Sequence, residues 1–186
     1  SKTLRSIFPE YRMQISIHDP APVREANLGR QPYGSCDVSL NKAMALANAM
    51  GMAFPAKCEA HAGAYEAGRG QQILAICVDS ASARRAIMKE ILEQGHHGIS
   101  YLIDCGNMKD YGQCLVGMHP SQMSAQDGEA ALPPPWDVAP DLYDPSKDNP
   151  SEPSCSSAEA IASQDFNVNH FAAMTASEHI WRLVTR

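Results

Sequence analysis

The chain has 186 residues, a formal charge of −6 and no run of Lys and Arg, which argues against a nucleic-acid backbone or an acidic lipid surface as partner. Hydrophobic residues make up 44%, enough for a packed core, but aromatics only 6%, so Ala, Met, Leu and Ile must do most of the packing. No apolar stretch approaches the ~20 residues that cross a bilayer, so no membrane insertion is expected.

Residues 1–35 read as an extended arm with loops. The opening Ser1-Lys2-Thr3-Leu4-Arg5 has neither an initiator Met nor the apolar core of a signal peptide, so an upstream targeting segment that has been removed stays open. Met13 to Ile17 alternates apolar and polar as a short strand does, and Asp19-Pro20-Ala21-Pro22 then breaks it. Leu40, Ala43, Met44, Ala47 and Met50 recur at helical spacing, predicting a helix over Asp37 to Met52 capped by Ser35 or Asp37 and closed by Gly51.

Gln71 to Val78 has the composition of a buried strand. Asp79-Ser80 can cap a second helix running through Gln94, with Ala83, Ile87, Met88, Ile91 and Leu92 as its apolar face. Strands are expected from His97 to Ile103 and from Tyr111 to Met118, joined as a hairpin around Gly106-Asn107. Over half of the 13 prolines fall between residues 126 and 155, a segment that cannot form regular ladders and that either links or wraps; Trp136 and Tyr143 favour docking. Phe171 to Val184 fits a helix with Phe171, Met174, Trp181 and Val184 on one side, and Asp165 to His170 stays open as a strand.

The fold class expected is α+β. A helix carrying the reactive residue packs on a small, mainly antiparallel sheet, followed by a long Pro-rich irregular segment and a C-terminal helix. The expected divisions are a core over 1–125, a wrapping segment or linker over 126–157, and a helical segment over 158–186 packing on the core.

Cys36, in Gly34-Ser35-Cys36, is the residue with the strongest chemical signal. At the head of the expected helix it would face unpaired backbone N–H groups and the positive end of the dipole, and both favour thiolate over thiol. Its small neighbours leave room for a carbonyl substrate. A nucleophile also needs a base and a group to orient it. His97 opens a strand and Asp110 precedes the next one, so Cys36, His97 and Asp110 can serve as nucleophile, base and orienting carboxylate. His96 with Asp104 is a second consistent pair, because the two alternate onto one strand face.

This order of Cys on a helix, His at a strand start and Asp at the next strand resembles the papain-like and transglutaminase-like cysteine hydrolases, of the divergent bacterial effector kind. The likeness covers roughly residues 31–118 and is topological. It implies an oxyanion-stabilising Gln ahead of the nucleophile, for which Gln31 is the candidate, although it stands five residues before Cys36. An aromatic residue usually follows the nucleophile in such enzymes; here Asp37 does.

The activity implied is a thiol protease or a glutamine deamidase acting on a protein or peptide substrate, without cofactor. Secretion, with delivery into a host or target cell as one route, is the implied localisation, and the cytoplasm stays open. The alternative is a non-enzymatic secreted or periplasmic binding protein held by disulfides among Cys36, Cys58, Cys77, Cys105, Cys114 and Cys155. Cys58-Glu59-Ala60-His61 has the spacing of half a zinc site that Cys105, Cys114 and His119 could complete; against it, Cys105 and Cys114 are spaced to face each other across a hairpin.

Overall fold

The computed structural model describes residues 14–28, 31–53, 57–68, 70, 72–94, 98–107, 112–123, 131–148 and 168–185. The fold class is α+β, and the chain divides between Tyr65 and Glu66 into two units. The boundary expected near residue 125 therefore falls inside the second unit.

In the first unit, β1 (Gln14–His18) and β2 (Lys57–His61) pair in parallel, from Gln14 opposite Lys57 to His18 opposite His61. Parallel neighbours need a crossover, and α1 (Lys42–Ala53) supplies it, packing on both strands. β2 lies between the expected helix and the expected Gln71–Val78 strand, where the sequence reading placed no strand. The helix buries Ala43, Ala45 and Ala47 and leaves Met44 exposed, as is Leu40, which precedes the helix. The small side chains thus face the core, and Met44 is not part of the buried stripe.

The start of α1 differs from expectation as well. Ser35–Asp37 is a separate single turn of 3-10 helix, and Ser39 adopts a positive φ of 76°. That left-handed residue breaks any continuation from the turn. Asn41 caps the helix instead: its Oδ1 accepts the Met44 N–H at 3.2 Å, and its Nδ2 donates to the Asp19 carbonyl at 2.7 Å. Helix α1 also runs past Gly51 to Ala53.

The second unit is built on β3 (Ile73–Ile76), α2 (Ala81–Gln94), β4 (Tyr101–Asn107) and β5 (Gly112–Met118). β3 and β4 are parallel with α2 as crossover, and β4 and β5 form the expected antiparallel hairpin. The resulting sheet is mixed, in the order β3-β4-β5. Gly106 and Asn107 lie within β4, so the hairpin closes beyond them. Ile76, Ile91, Leu102, Ile103 and Met118 form the core with Ile99, which precedes β4.

Within the Pro-rich segment, residues 131–148 pack on the second unit. After α3 (Pro120–Met123), the chain from residue 131 runs through α4 (Pro135–Val138) and two 3-10 turns, Pro140–Tyr143 and Pro145–Lys147. Pro134 and Pro135 are fully buried, and Trp136 meets Tyr143 edge to face at 6.0 Å. The Met118 N–H donates to the Leu132 carbonyl at 3.1 Å. At the far end Asp148 accepts the Ala81 and Ser82 N–H groups at 2.7 and 2.9 Å, as well as the Ser82 hydroxyl. The segment therefore caps α2, together with Ser80, whose hydroxyl accepts the Ala83 N–H at 3.2 Å.

The last element, α5 (Val168–Thr185), packs on β4 and β5. Residues 168–170 are helical rather than strand. The side shared by Phe171, Met174, Trp181 and Val184 is exposed, Phe171 and Met174 by 65% and 67%, whereas Val168 is buried. No helix among the described residues is long and apolar enough to cross a membrane.

Candidate functional site

Cys36 lies in the 3-10 turn with an exposed, free thiol. Asp37 shapes the turn. Its Oδ2 accepts the Gly34 N–H at 2.7 Å, and its own N–H donates to the Gly34 carbonyl at 3.0 Å. A Cβ added at Gly34 would stand 3.6 Å from the Cys36 sulfur and 3.8 Å from Asp37 Oδ2, so both side chains fold over this glycine. The helix start belongs to Lys42, so the expected placement of Cys36 at the head of an α-helix is corrected, and the dipole of α1 gives no ground for its reactivity. What remains is exposure, small neighbours and a fixed tight turn.

Gln31 is half-buried in the loop before that turn. Its N–H donates to the Asn27 carbonyl at 3.1 Å, and its carbonyl accepts the Tyr33 N–H at 2.8 Å. Asn27, buried, accepts the Arg24 N–H through Oδ1 at 2.8 Å and so steadies this loop. The expected partners His96, His97 and Asp110 lie outside the described residues.

Asp104, the rival carboxylate, is fully buried and already engaged. Arg84 Nε donates to its two oxygens at 3.0 and 3.1 Å, and the Tyr143 hydroxyl donates to Oδ2. Arg84 also reaches the Cys105 carbonyl at 3.2 Å through its Nη2. Burial, then the bond to Asp104, pushes the Tyr143 hydroxyl above the ordinary tyrosine value. This trio was missed from sequence, although Arg84 carried a signal: with Ala81, Met88 and Ile91 it shares the buried stripe of α2, where an Arg needs a partner.

The half zinc site is also corrected. Cys58 and His61 both lie on β2, three residues apart, and a strand sends such residues to opposite faces. His61 stacks on His18 at 4.3 Å, and Tyr65 meets His18 edge-on. Among the described residues no group of three His, Cys, Asp or Glu converges as a metal site would require.

Cys105 and Cys114 lie on the second sheet, and Cys77 lies one residue past its strand β3. Cys105 and Cys114 are direct partners across the β4–β5 hairpin, with sulfurs 3.8 Å apart and unbonded. Cys77 follows Ile76, whose β4 partner is Asp104, so it aligns with Cys105. Cys105 and Cys114 thus stand side by side on β4 and β5, and Cys77, one residue past the end of β3, comes next to Cys105. Cys155 lies outside the described residues. No protein-family model and no curated protein matches the chain.

Proposed function

We propose that the chain is a cysteine-dependent hydrolase acting on a peptide or carboxamide bond. The Cys36 sulfur attacks the carbonyl carbon, His97 takes the thiol proton and returns it to the leaving amine, and Asp110 orients the imidazole. The Gln31 side chain donates to the oxyanion, and water then resolves the thioester. The substrate is a protein glutamine side chain or a peptide bond. The reading extends the resemblance to papain-like and transglutaminase-like enzymes of secreted bacterial effectors.

The observation that supports it is the exposed Cys36 thiol, held on a tight turn beside exposed Gly34 and Ser35, where a carbonyl can approach. The test is the release of ammonia and of new amino termini from glutamine-containing peptides. Cys36→Ala and His97→Ala should each abolish turnover while Cys58→Ala keeps it. Full turnover by Cys36→Ala contradicts the reading.

One observation favours a second reading, a disulfide-bonded binding protein: Cys105 directly faces Cys114. Thiol counting on the purified, denatured and unreduced chain separates the two, because zero free thiols removes Cys36 as nucleophile.

A further inference from the structure

We infer that Cys77, Cys105 and Cys114 form a thiol–disulfide exchange relay whose substrate is a small-molecule disulfide of the oxidised-glutathione type. The inference is independent of the hydrolase reading, since none of the three thiols is assigned to hydrolysis.

Ile76 pairs with Asp104, so the next residues, Cys77 and Cys105, are aligned, and Cys105 pairs in turn with Cys114. All three thiols therefore project on the sheet face opposite the one where Ile76 and Asp104 are buried. That face also carries the start of α5: a Cβ at Gly112, two residues before Cys114, would stand 3.6 Å from Val168 and 3.7 Å from Ala172. Of the three, Cys77 is the exposed residue, and Cys105 and Cys114 are half-buried.

Spacing selects exchange over chelation. Neighbouring strands lie about 4.8 Å apart, within the range a disulfide bridges, so each adjacent pair can bond. The outer pair is two strand spacings apart, roughly 10 Å, and cannot. Three thiolates around one zinc, each about 2.3 Å from it, would have to converge instead of standing in line. Any transfer from Cys77 to Cys114 must pass through Cys105.

The electrostatics agree with this order of entry. The Cys105 thiol hydrogen-bonds Cys77 and lowers its pKa, while that same neighbour and burial raise Cys105. Burial raises Cys114. Cys77, the exposed residue, is the one that favours thiolate, as an attacking thiol should.

The chemistry balances without a further reagent. The Cys77 thiolate attacks one sulfur of the small disulfide, breaks its S–S bond and releases one thiol, leaving a mixed disulfide on Cys77. Cys105 attacks the Cys77 sulfur and expels the second thiol, which takes the Cys105 proton. Cys114 then attacks Cys105, giving a Cys105–Cys114 disulfide and restoring the Cys77 thiol. Two protein thiols are oxidised, and one small disulfide is reduced to two thiols.

The test treats the full chain with oxidised glutathione, quenches in acid, and maps every cysteine by peptide mass spectrometry. The wild type should accumulate the Cys105–Cys114 disulfide. Cys77→Ser should slow its formation by about tenfold or more, because entry is then confined to less exposed thiols. Cys114→Ser, which leaves the central thiol in place, should trap a Cys77–Cys105 disulfide, and Cys105→Ser should leave a lasting glutathione adduct on Cys77. Persistent adducts on Cys77 of the wild type with no internal disulfide would overturn the relay. So would an internal disulfide that forms equally fast in Cys77→Ser, or a Cys114→Ser protein that never joins Cys77 to Cys105.

Discussion

Tyr143 donates its hydroxyl to Asp104 across 39 residues of sequence, and this single bond ties the Pro-rich wrap to the centre of the second sheet. Both residues are buried, and Arg84 completes the charge on Asp104 from α2. Tyr143→Phe should therefore destabilise the chain by about 1–3 kcal/mol. It should also change the alkaline limb of stability. Because the folded state holds the Tyr143 proton more tightly than the unfolded chain does, the bond's contribution is complete below about pH 10 and is lost as pH rises beyond it. Urea denaturation from about pH 8 to 11 should show stability falling at the alkaline end, and less steeply in Tyr143→Phe. Part of the fall should persist, because burial raises Tyr33 as well.

Arg84→Met removes the cation while leaving Asp104 buried. The expected loss is about 3–5 kcal/mol, since an uncompensated carboxylate stays in the core. Arg84→Met combined with Asp104→Leu should recover much of that loss. Equilibrium unfolding of the single and double variants decides the point; a double variant no more stable than Arg84→Met would show that the pair does more than satisfy itself.

Gly117 is where β5 touches the wrap. An added Cβ would lie 2.4 Å from the Pro133 carbonyl oxygen, 2.8 Å from Pro135 Cδ and 2.9 Å from Pro134 Cα. None of these is the end of a flexible side chain. Gly117→Ala should push the wrap away at a cost of about 1–3 kcal/mol. Amide exchange at Ala81 and Ser82 should quicken too, because their cap, Asp148, lies on the same segment.

The two faces of α5 should respond oppositely to substitution. Phe171→Ser and Met174→Ser fall on exposed positions and should change stability by no more than about 0.5 kcal/mol. Val168→Ala, at the buried start of the helix, should cost about 1–2 kcal/mol. Thermal melts of the three variants suffice to check this.

Local pattern carried much of the fold. The alternation in β1, the apolar run of β3, the Ser80 cap of α2 and the β4–β5 hairpin were all legible, because each is written within a short window. Helix α5 shows what periodicity leaves open. Phe171, Met174, Trp181 and Val184 do share a stripe, but spacing cannot say whether a stripe faces the core. The early start assigned to α1 failed for a different reason: both Asp37 and Asn41 are capable caps, and Ser39, with its positive φ, separates them.

Non-local pairing was the least legible. β2 is parallel to β1 across an intervening helix, so no turn announces it. Cys105 facing Cys114 followed from hairpin spacing, whereas the alignment of Cys77 with Cys105 depends on a parallel register that no local residue states. At the candidate catalytic turn, Cys36 stood out through its small neighbours, and the turn itself is made by Asp37 bonding to Gly34.

The nucleophile assignment is tested most directly by iodoacetamide labelling at about pH 6, timed and mapped to each cysteine in the wild type and in His97→Ala. Cys36 should label first, at least about tenfold faster than Cys58, and His97→Ala should remove the advantage. Equal labelling of Cys36 and Cys58, or a fast Cys36 indifferent to His97, would contradict that assignment.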